Sequence, residues 1–265
     1  MRYDPGAATS QDHRDATEIA TAAGEMLLDL QIDLLDANSP PDEVGREADR
    51  SANALILQQL AVRHPDDPVL SEEAADPTGR LESRRVWIVD PLDGTREFTE
   101  GRDDWGVNVA LAVDGVPVVG AVAVPGAGDT LSTSHPPDVP ARVQRPLIVV
   151  SRTRPPVFAA AVAEQLHAEL RSLGSAAAKA AAVVTGEADI YIHAGGIHEW
   201  DSAAPVALAT ACGLHASRVD GSPLRYNQPR PFLADLLICR PELADDVLGV
   251  MREALEGRLY HAHDI

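Results

Sequence analysis

The stretch "VWIVDPLDGTREF", residues 86–98, decides how this chain is read. Val86, Trp87, Ile88 and Val89 form an unbroken apolar run, the pattern of a strand buried on both faces. The run stops at Asp90, so a carboxylate sits at the edge of the core, where an isolated charge is costly. A divalent cation would remove that cost, and hard cations such as Mg²⁺ take oxygen ligands. Pro91 fixes its own φ and biases Asp90 toward extended backbone. That turns Asp90 and Asp93 toward one point, with the Leu92 carbonyl between them. Gly94 lets backbone approach a ligand closely. A helix starting at Thr95 would offer free N–H groups to an anion, and the Thr95 hydroxyl could orient a water. This combination points to metal-assisted phosphoester hydrolysis. The same residue types also build a plain turn closed by aspartate, with Thr95 as a local cap.

Two more acidic sites lie outward from this segment. "SEE" places Glu72 and Glu73 just after a short strand in "DDPVLSEE" (66–73), and "EWDSAAP" (199–205) places Asp201 at the opening of a helix. The order of strand, SEE, strand, DPLDGT and a later WDSA favours the metal reading over the turn.

Periodicity sorts the rest of the chain. After a loose tail over 1–12, a helix runs from Asp15 with Ile19, Ala23, Met26, Leu27, Leu30 and Leu34 on one face. The prolines of "NSPPDEVG" (38–45) break it, and a second helix covers roughly 46–63. "WGVNVALAVDGVPVVGAVAVP" (105–125) is a hairpin about Asp114-Gly115, and "DTLSTSH" (129–135) adds a strand. "PPDVPARVQRP" (136–146) marks a boundary. Beyond it come "LIVVS" as a buried strand, a helix over 155–173, helix then strand in "KAAAVVTGEADIYIH" (179–193), and a helix opening at Asp201 and ending before Gly213. A strand in "DLLICR" (235–240) and a final helix over 241–256 complete the pattern. The spacing predicts an α+β subdomain over 13–140 carrying most of the acids, and an α/β subdomain over 141–265 carrying Asp201.

The net charge of −19 argues against nucleic-acid polymers and anionic membranes as partners. An anionic substrate would need bound cations to reverse the local field. Cys212 and Cys239 form no CxxC, which fits a reducing cytoplasm. The N-terminus lacks the apolar core of a signal peptide, and no apolar run is long enough to span a bilayer. Lys179 is the only lysine, which singles it out as a point charge for a phosphate. "GSAAAKA" lacks the second glycine and the Ser/Thr of a P-loop, and "PGAG" (125–128) reads as a turn. His193, His198 and the histidines of "HAHD" match no ligand spacing and read as surface or packing residues.

"LSEE" (70–73), "WIVDPLDGTREF" (87–98) and "EWDSAAP", with weaker matches at "GEADIY" (186–191) and "DGSPLRY" (220–226), resemble the inositol monophosphatase superfamily over nearly the whole chain. "DPLDGTREF" and "VVSR" (149–152) are similar to its bacterial 3′(2′),5′-bisphosphate nucleotidases. The resemblance implies a layered αβαβα sandwich. It implies a cytoplasmic, lithium-sensitive phosphatase using two or three Mg²⁺ ions to convert 3′-phosphoadenosine 5′-phosphate to AMP in sulfate assimilation. Glu72, Asp90, the Leu92 carbonyl, Asp93 and Asp201 are then metal ligands. Thr95 and Glu72 activate water, with Asp49 supporting Thr95. Asp93, Gly94, Thr95 and Asp201 face the phosphate, while Lys179, Ser151 and Arg152 contact the rest of the substrate. A homodimer is also implied. Relatives carry a mobile loop resembling K-x-D-G-S-P-V-T; here it reads "DANSPPDEVGREAD" (36–49), without the lysine and with Gly45 in place of the threonine, which bears on a third metal. The same residues also fit an inositol monophosphatase, a fructose-1,6-bisphosphatase, or a non-catalytic acidic protein that binds metal or nucleotide.

Overall fold

Five layers alternate helices and sheets. The computed structural model describes residues 8–36, 39–77, 79–141 and 145–255, so the "HAHD" tail and most of the expected N-terminal tail lie outside the described residues. Helices α1 (Ser10–Asp36) and α2 (Pro41–Arg63) form the first layer. The second helix starts earlier than periodicity predicts. Pro40 takes its N-cap and Pro41 its first position, where a missing N–H costs nothing.

The second layer is a sheet in sequential order: β1 (Val69–Ser71), β2 (Arg85–Asp93), β3 (Gly106–Val113), β4 (Val116–Val124) and β5 (Asp129–Ser132). β1 runs parallel to β2, and the other pairs are antiparallel. The β3–β4 hairpin turns at Asp114 (φ 50°) and Gly115 (φ 75°), as the Asp-Gly pair predicts. β2 continues through Pro91, with its register against β3 broken between Asp90 and Asp93. The short helix α3 (Thr95–Thr99) follows.

The second sheet combines β6 (Leu147–Ser151), β7 (Glu169–Leu173), β8 (Ile190–His198), β9 (His215–Ser217) and β10 (Phe232–Cys239) in the order β7-β6-β8-β10-β9. β6 is parallel to β7 and β8, and β10 is antiparallel to β8 and β9. Helices α5 (Ala176–Val184) and α6 (Glu199–Ala211) lie between the sheets, and α4 (Ala159–Gln165) and α7 (Ala244–Leu255) cover the outer face. The single helix expected over 155–173 is two elements. The chain reverses at His167 (φ 50°), and "ELRSL" becomes an edge strand with exposed side chains. Its side chains are nearly all exposed, so its sequence lacks the apolar pattern that marks a buried strand.

Three apolar cores fill the spaces between layers: one under α1 and α2, one around α5 and α6 that reaches both sheets, and one under α4 and α7. Trp87 and Val89 of β2 face α1 and α2, while Val86 and Ile88 face the middle helices. Both faces of this strand are therefore buried, which is why its sequence is apolar without alternation. Gly120 lets α6 approach β4: a Cβ there would lie 2.5 Å from the Ala204 carbonyl oxygen and 2.9 Å from the Ala207 Cβ. No helix among the described residues is long and apolar enough to cross a membrane.

Candidate active site

The parallel pairing of β1 with β2 brings the first two acids together. Ser71 is in register with Val89, and the Glu72 N–H donates to the Val89 carbonyl (3.4 Å), so Glu72 lies alongside Asp90. Asp201 arrives from the middle layer as the third residue of α6, not as its opening cap. His198 holds the N-cap position, and Asp201 Oδ2 accepts its N–H (2.9 Å). Ligand atoms of Glu72, Asp90 and Asp201 lie within 4.8 Å of one another, and Glu73 is outside this group.

These carboxylates lack the donors that would neutralise them. Among the described residues Asp90 Oδ2 is buried with no hydrogen-bond donor, and Oδ1 accepts the Leu92 N–H (3.1 Å). Burial, then the neighbouring Asp93, Glu72 and Asp201 charges, push the Asp90 carboxyl far above the usual carboxylate range. Glu72 reaches solvent, yet enclosure by the cleft walls and then the Asp201 and Asp93 charges push it up to about 7. Asp201 is also raised, chiefly by burial. An orphaned carboxylate oxygen among three repelling acids fits a hard divalent cation, which would supply the missing positive charge.

Asp93 sits beside this group with its own anchor. Its Oδ2 accepts the Ala177 N–H at the start of α5 (2.6 Å) and is approached by Asn108 Nδ2 (3.4 Å). Burial and then Asp201 still push its carboxyl up to about 7. Gly94 follows in the left-handed region (φ 96°), and a Cβ there would lie 3.0 Å from Ser175 Cβ. The Thr95 hydroxyl lies 3.4 Å from both Asp49 Oδ1 and the Leu92 carbonyl. Burial and the Glu73 charge raise Asp49 to about 7. Gly45 of α2 permits this approach, because a Cβ there would come within 3.0 Å of Thr95 Cγ2.

A cavity of about 530 Å³ opens from Asp93, Thr95 and Asp201 toward Ser151, Arg154, Lys179, His193 and Phe232. Lys179 is only 2% exposed. Its ammonium donates to the Gly174 and Ser175 carbonyls and lies 5.3 Å from the Tyr191 ring centroid. Two of its three N–H donors are thus engaged, leaving one for the cavity. Ser151 lines the wall, but its Oγ accepts the Arg154 N–H (3.2 Å). Arg152 does not line the cavity. It turns to α3 and pairs with Glu97 (2.8 Å) and Glu100 (2.9 Å). Arg154, which no motif marks, takes that place; it is exposed, makes no side-chain hydrogen bond or ion pair among the described residues, and its charge acts on Asp201, His193 and His198. His193, expected as a surface or packing residue, is buried and also lines the cavity, and its Nε2 donates to the Gly196 carbonyl (2.8 Å). No motif marks either residue; β6 and β8 bring them to one wall.

A cleft that joins a carboxylate group fit for a divalent cation to a buried lysine and an exposed arginine suits the hydrolysis of phosphate esters, and the fold and site define a metal-dependent phosphatase. The chain belongs to the inositol monophosphatase family, whose sequence model matches residues 10–256. It is 47% identical over 245 residues to the 3′-phosphoadenosine 5′-phosphate phosphatase of Mycobacterium tuberculosis, covering 88% of this chain and 90% of the relative. It is 33% identical over 238 residues to the 3′(2′),5′-bisphosphate nucleotidase CysQ of Escherichia coli, covering 82% of this chain and 94% of that one. Among solved structures it resembles CysQ from Bacteroides thetaiotaomicron, with a TM-score of 0.70 and 27% identity, over 87% of this chain and 96% of that chain.

Proposed function

We propose that the protein removes the 3′-phosphate of 3′-phosphoadenosine 5′-phosphate, giving AMP and inorganic phosphate. The observation that carries this reading is that one cavity is lined both by the acids Asp93 and Asp201 and by the cations Lys179 and Arg154. The acidic group would hold the reacting phosphate through cations, and Arg154 and Lys179 suit a second phosphate. The names of the mycobacterial and enterobacterial relatives support the same substrate.

Glu72, Asp90, Asp93, Asp201 and the Leu92 carbonyl would hold Mg²⁺, which when bound offsets the phosphate's charge and makes water more acidic. The chain's own groups orient the reaction. Asp49 accepts from the Thr95 hydroxyl, which turns a Thr95 lone pair toward the attacking water. With its carboxyl raised to about 7, Asp49 can receive the proton that Thr95 relays near neutral pH. The water oxygen bonds to phosphorus as the bond to the ribose 3′ oxygen breaks, and that oxygen takes a proton from solvent water as it leaves. The amides of Gly94 and Thr95 at the start of α3 are available to the phosphate oxygens.

Phosphate release from equal concentrations of 3′-phosphoadenosine 5′-phosphate, inositol monophosphate and fructose 1,6-bisphosphate tests the reading. The bisphosphate nucleotide should give the highest kcat/KM. A preference for either sugar phosphate would overturn the substrate while leaving the chemistry intact.

A further inference from the structure

Glu72 and Asp90 are held side by side by the β1–β2 pairing, but Asp201 comes from a different layer and must be brought in against charge repulsion. A polar clip, built on the buried side chains of Arg80 and Glu199, connects the two sides. Glu199, two residues before Asp201, is fully buried and accepts the N–H groups of Asn227 (2.7 Å) and Gln228 (2.9 Å). Asn227 adopts a left-handed conformation (φ 57°) in that turn. Across the turn lies Arg80, only 1% exposed. Its Nη1 donates to Asn227 Oδ1 (2.8 Å) and its Nη2 to the Gln228 carbonyl (3.0 Å), while Asn227 Nδ2 donates back to the Arg80 carbonyl (2.9 Å). The same guanidinium grips Asp76 through Nε (2.5 Å) and Nη2 (2.8 Å). Asp76 and Arg80 lie on the segment that leads away from Glu72 and Glu73.

The connection therefore runs from the Glu72 segment, through Arg80 and the 227–228 turn, to the first residue of α6. None of Arg80, Glu199 and Asn227 lines the cavity or belongs to the acidic group. Buried charges are costly to hold and are retained with least conflict where they enforce one geometry.

We propose that Arg80, Asn227 and Glu199 are positioning residues that set the approach of Asp201 to Glu72 and so tune the affinity of the site for a divalent cation. This rests on the metal reading above. Asn227→Gly tests it most cleanly: glycine keeps the left-handed turn and its N–H to Glu199 while deleting the side-chain link to Arg80. Arg80→Met removes the guanidinium fork and keeps an apolar stem. Mg²⁺ binding to each full-length protein is measured by calorimetry, together with kcat at saturating Mg²⁺. Both variants should bind Mg²⁺ about tenfold more weakly, with kcat largely recovered at saturation. A folded Asn227→Gly protein with wild-type Mg²⁺ affinity and only a lower melting midpoint would overturn the positioning role, whether or not Arg80→Met folds. Wild-type protein that binds no Mg²⁺ would overturn the metal reading and this role together.

Discussion

Asp93 Oδ2 accepts the Ala177 N–H at 2.6 Å, joining the DPLDGT segment of the first sheet to the first turn of α5. The bond places a proposed metal ligand on a helix N-terminus, where the helix dipole favours negative charge. Asp93→Asn keeps an oxygen for that N–H but loses the charge. Turnover should fall by more than about a hundredfold, while the circular dichroism spectrum stays native. A folded variant with near-normal kcat would exclude Asp93 from the metal set.

The acidic group should make the metal-free protein less stable than it could be. The raised Asp90 carboxyl means that charge on this residue at neutral pH opposes folding, and an amide carries no such penalty. Asp90→Asn should therefore raise the stability of EDTA-treated protein by roughly 2 kcal/mol, even as activity is lost. Mg²⁺ at about a hundred times its dissociation constant should stabilise the wild type by about 2.7 kcal/mol and the variant much less. Urea melts with and without Mg²⁺ check both effects. A variant less stable than the wild type in EDTA would contradict the first.

Arg154 lines the cavity, exposed and with no side-chain hydrogen bond or ion pair among the described residues. Arg154→Ala should lower kcat/KM for the 3′,5′-bisphosphate by about tenfold or more and leave adenosine 3′-monophosphate nearly unchanged. Equal losses on the two nucleotides would mean that Arg154 does not meet the second phosphate.

Asp12 predicts an acid-sensitive component of stability away from the site. Burial alone would raise its carboxyl, but Arg85 (2.8 Å) and the Thr9 N–H (2.6 Å) and hydroxyl (2.8 Å) prevail and hold it below the ordinary 3.8. A depressed folded pKa gives stability that is complete above the unfolded value and is lost as pH falls through the folded one. Asp12→Asn should cost about 2 kcal/mol between pH 5 and pH 8 on the scale of a charged hydrogen bond. The difference from wild type should shrink below about pH 4. Denaturant melts across that range measure it, and a constant difference down to the lowest pH would refute the assignment.

Strong local patterns carried the sequence reading. The unbroken VWIV run, the Asp-Gly hairpin and the alanine-rich helices each encode their own conformation within a few residues. Where signals were weak, expectation failed. "ELRSL" is an edge strand whose side chains meet water, so nothing in its composition separates it from the end of a helix. Arg152 and Arg154 are equivalent as text. Only the ion pairs with Glu97 and Glu100 turn the first away from the cavity that the second lines.

By itself, then, the sequence determined the acids, the proline between two of them and the elements that carry them, because burial and backbone preference act over short spans. The tertiary structure alone decided which acids meet. Glu72 reaches Asp90 through parallel strand register. Asp201 reaches both because α6 packs against β2, β3 and β4 on residues as small as Gly120 and Ala204. Arg80, Asn227 and Glu199 are unremarkable in the chain and gain meaning only when the fold closes them into one hydrogen-bonded network. Proximity between remote charges follows from packing of whole layers, and no local pattern encodes it.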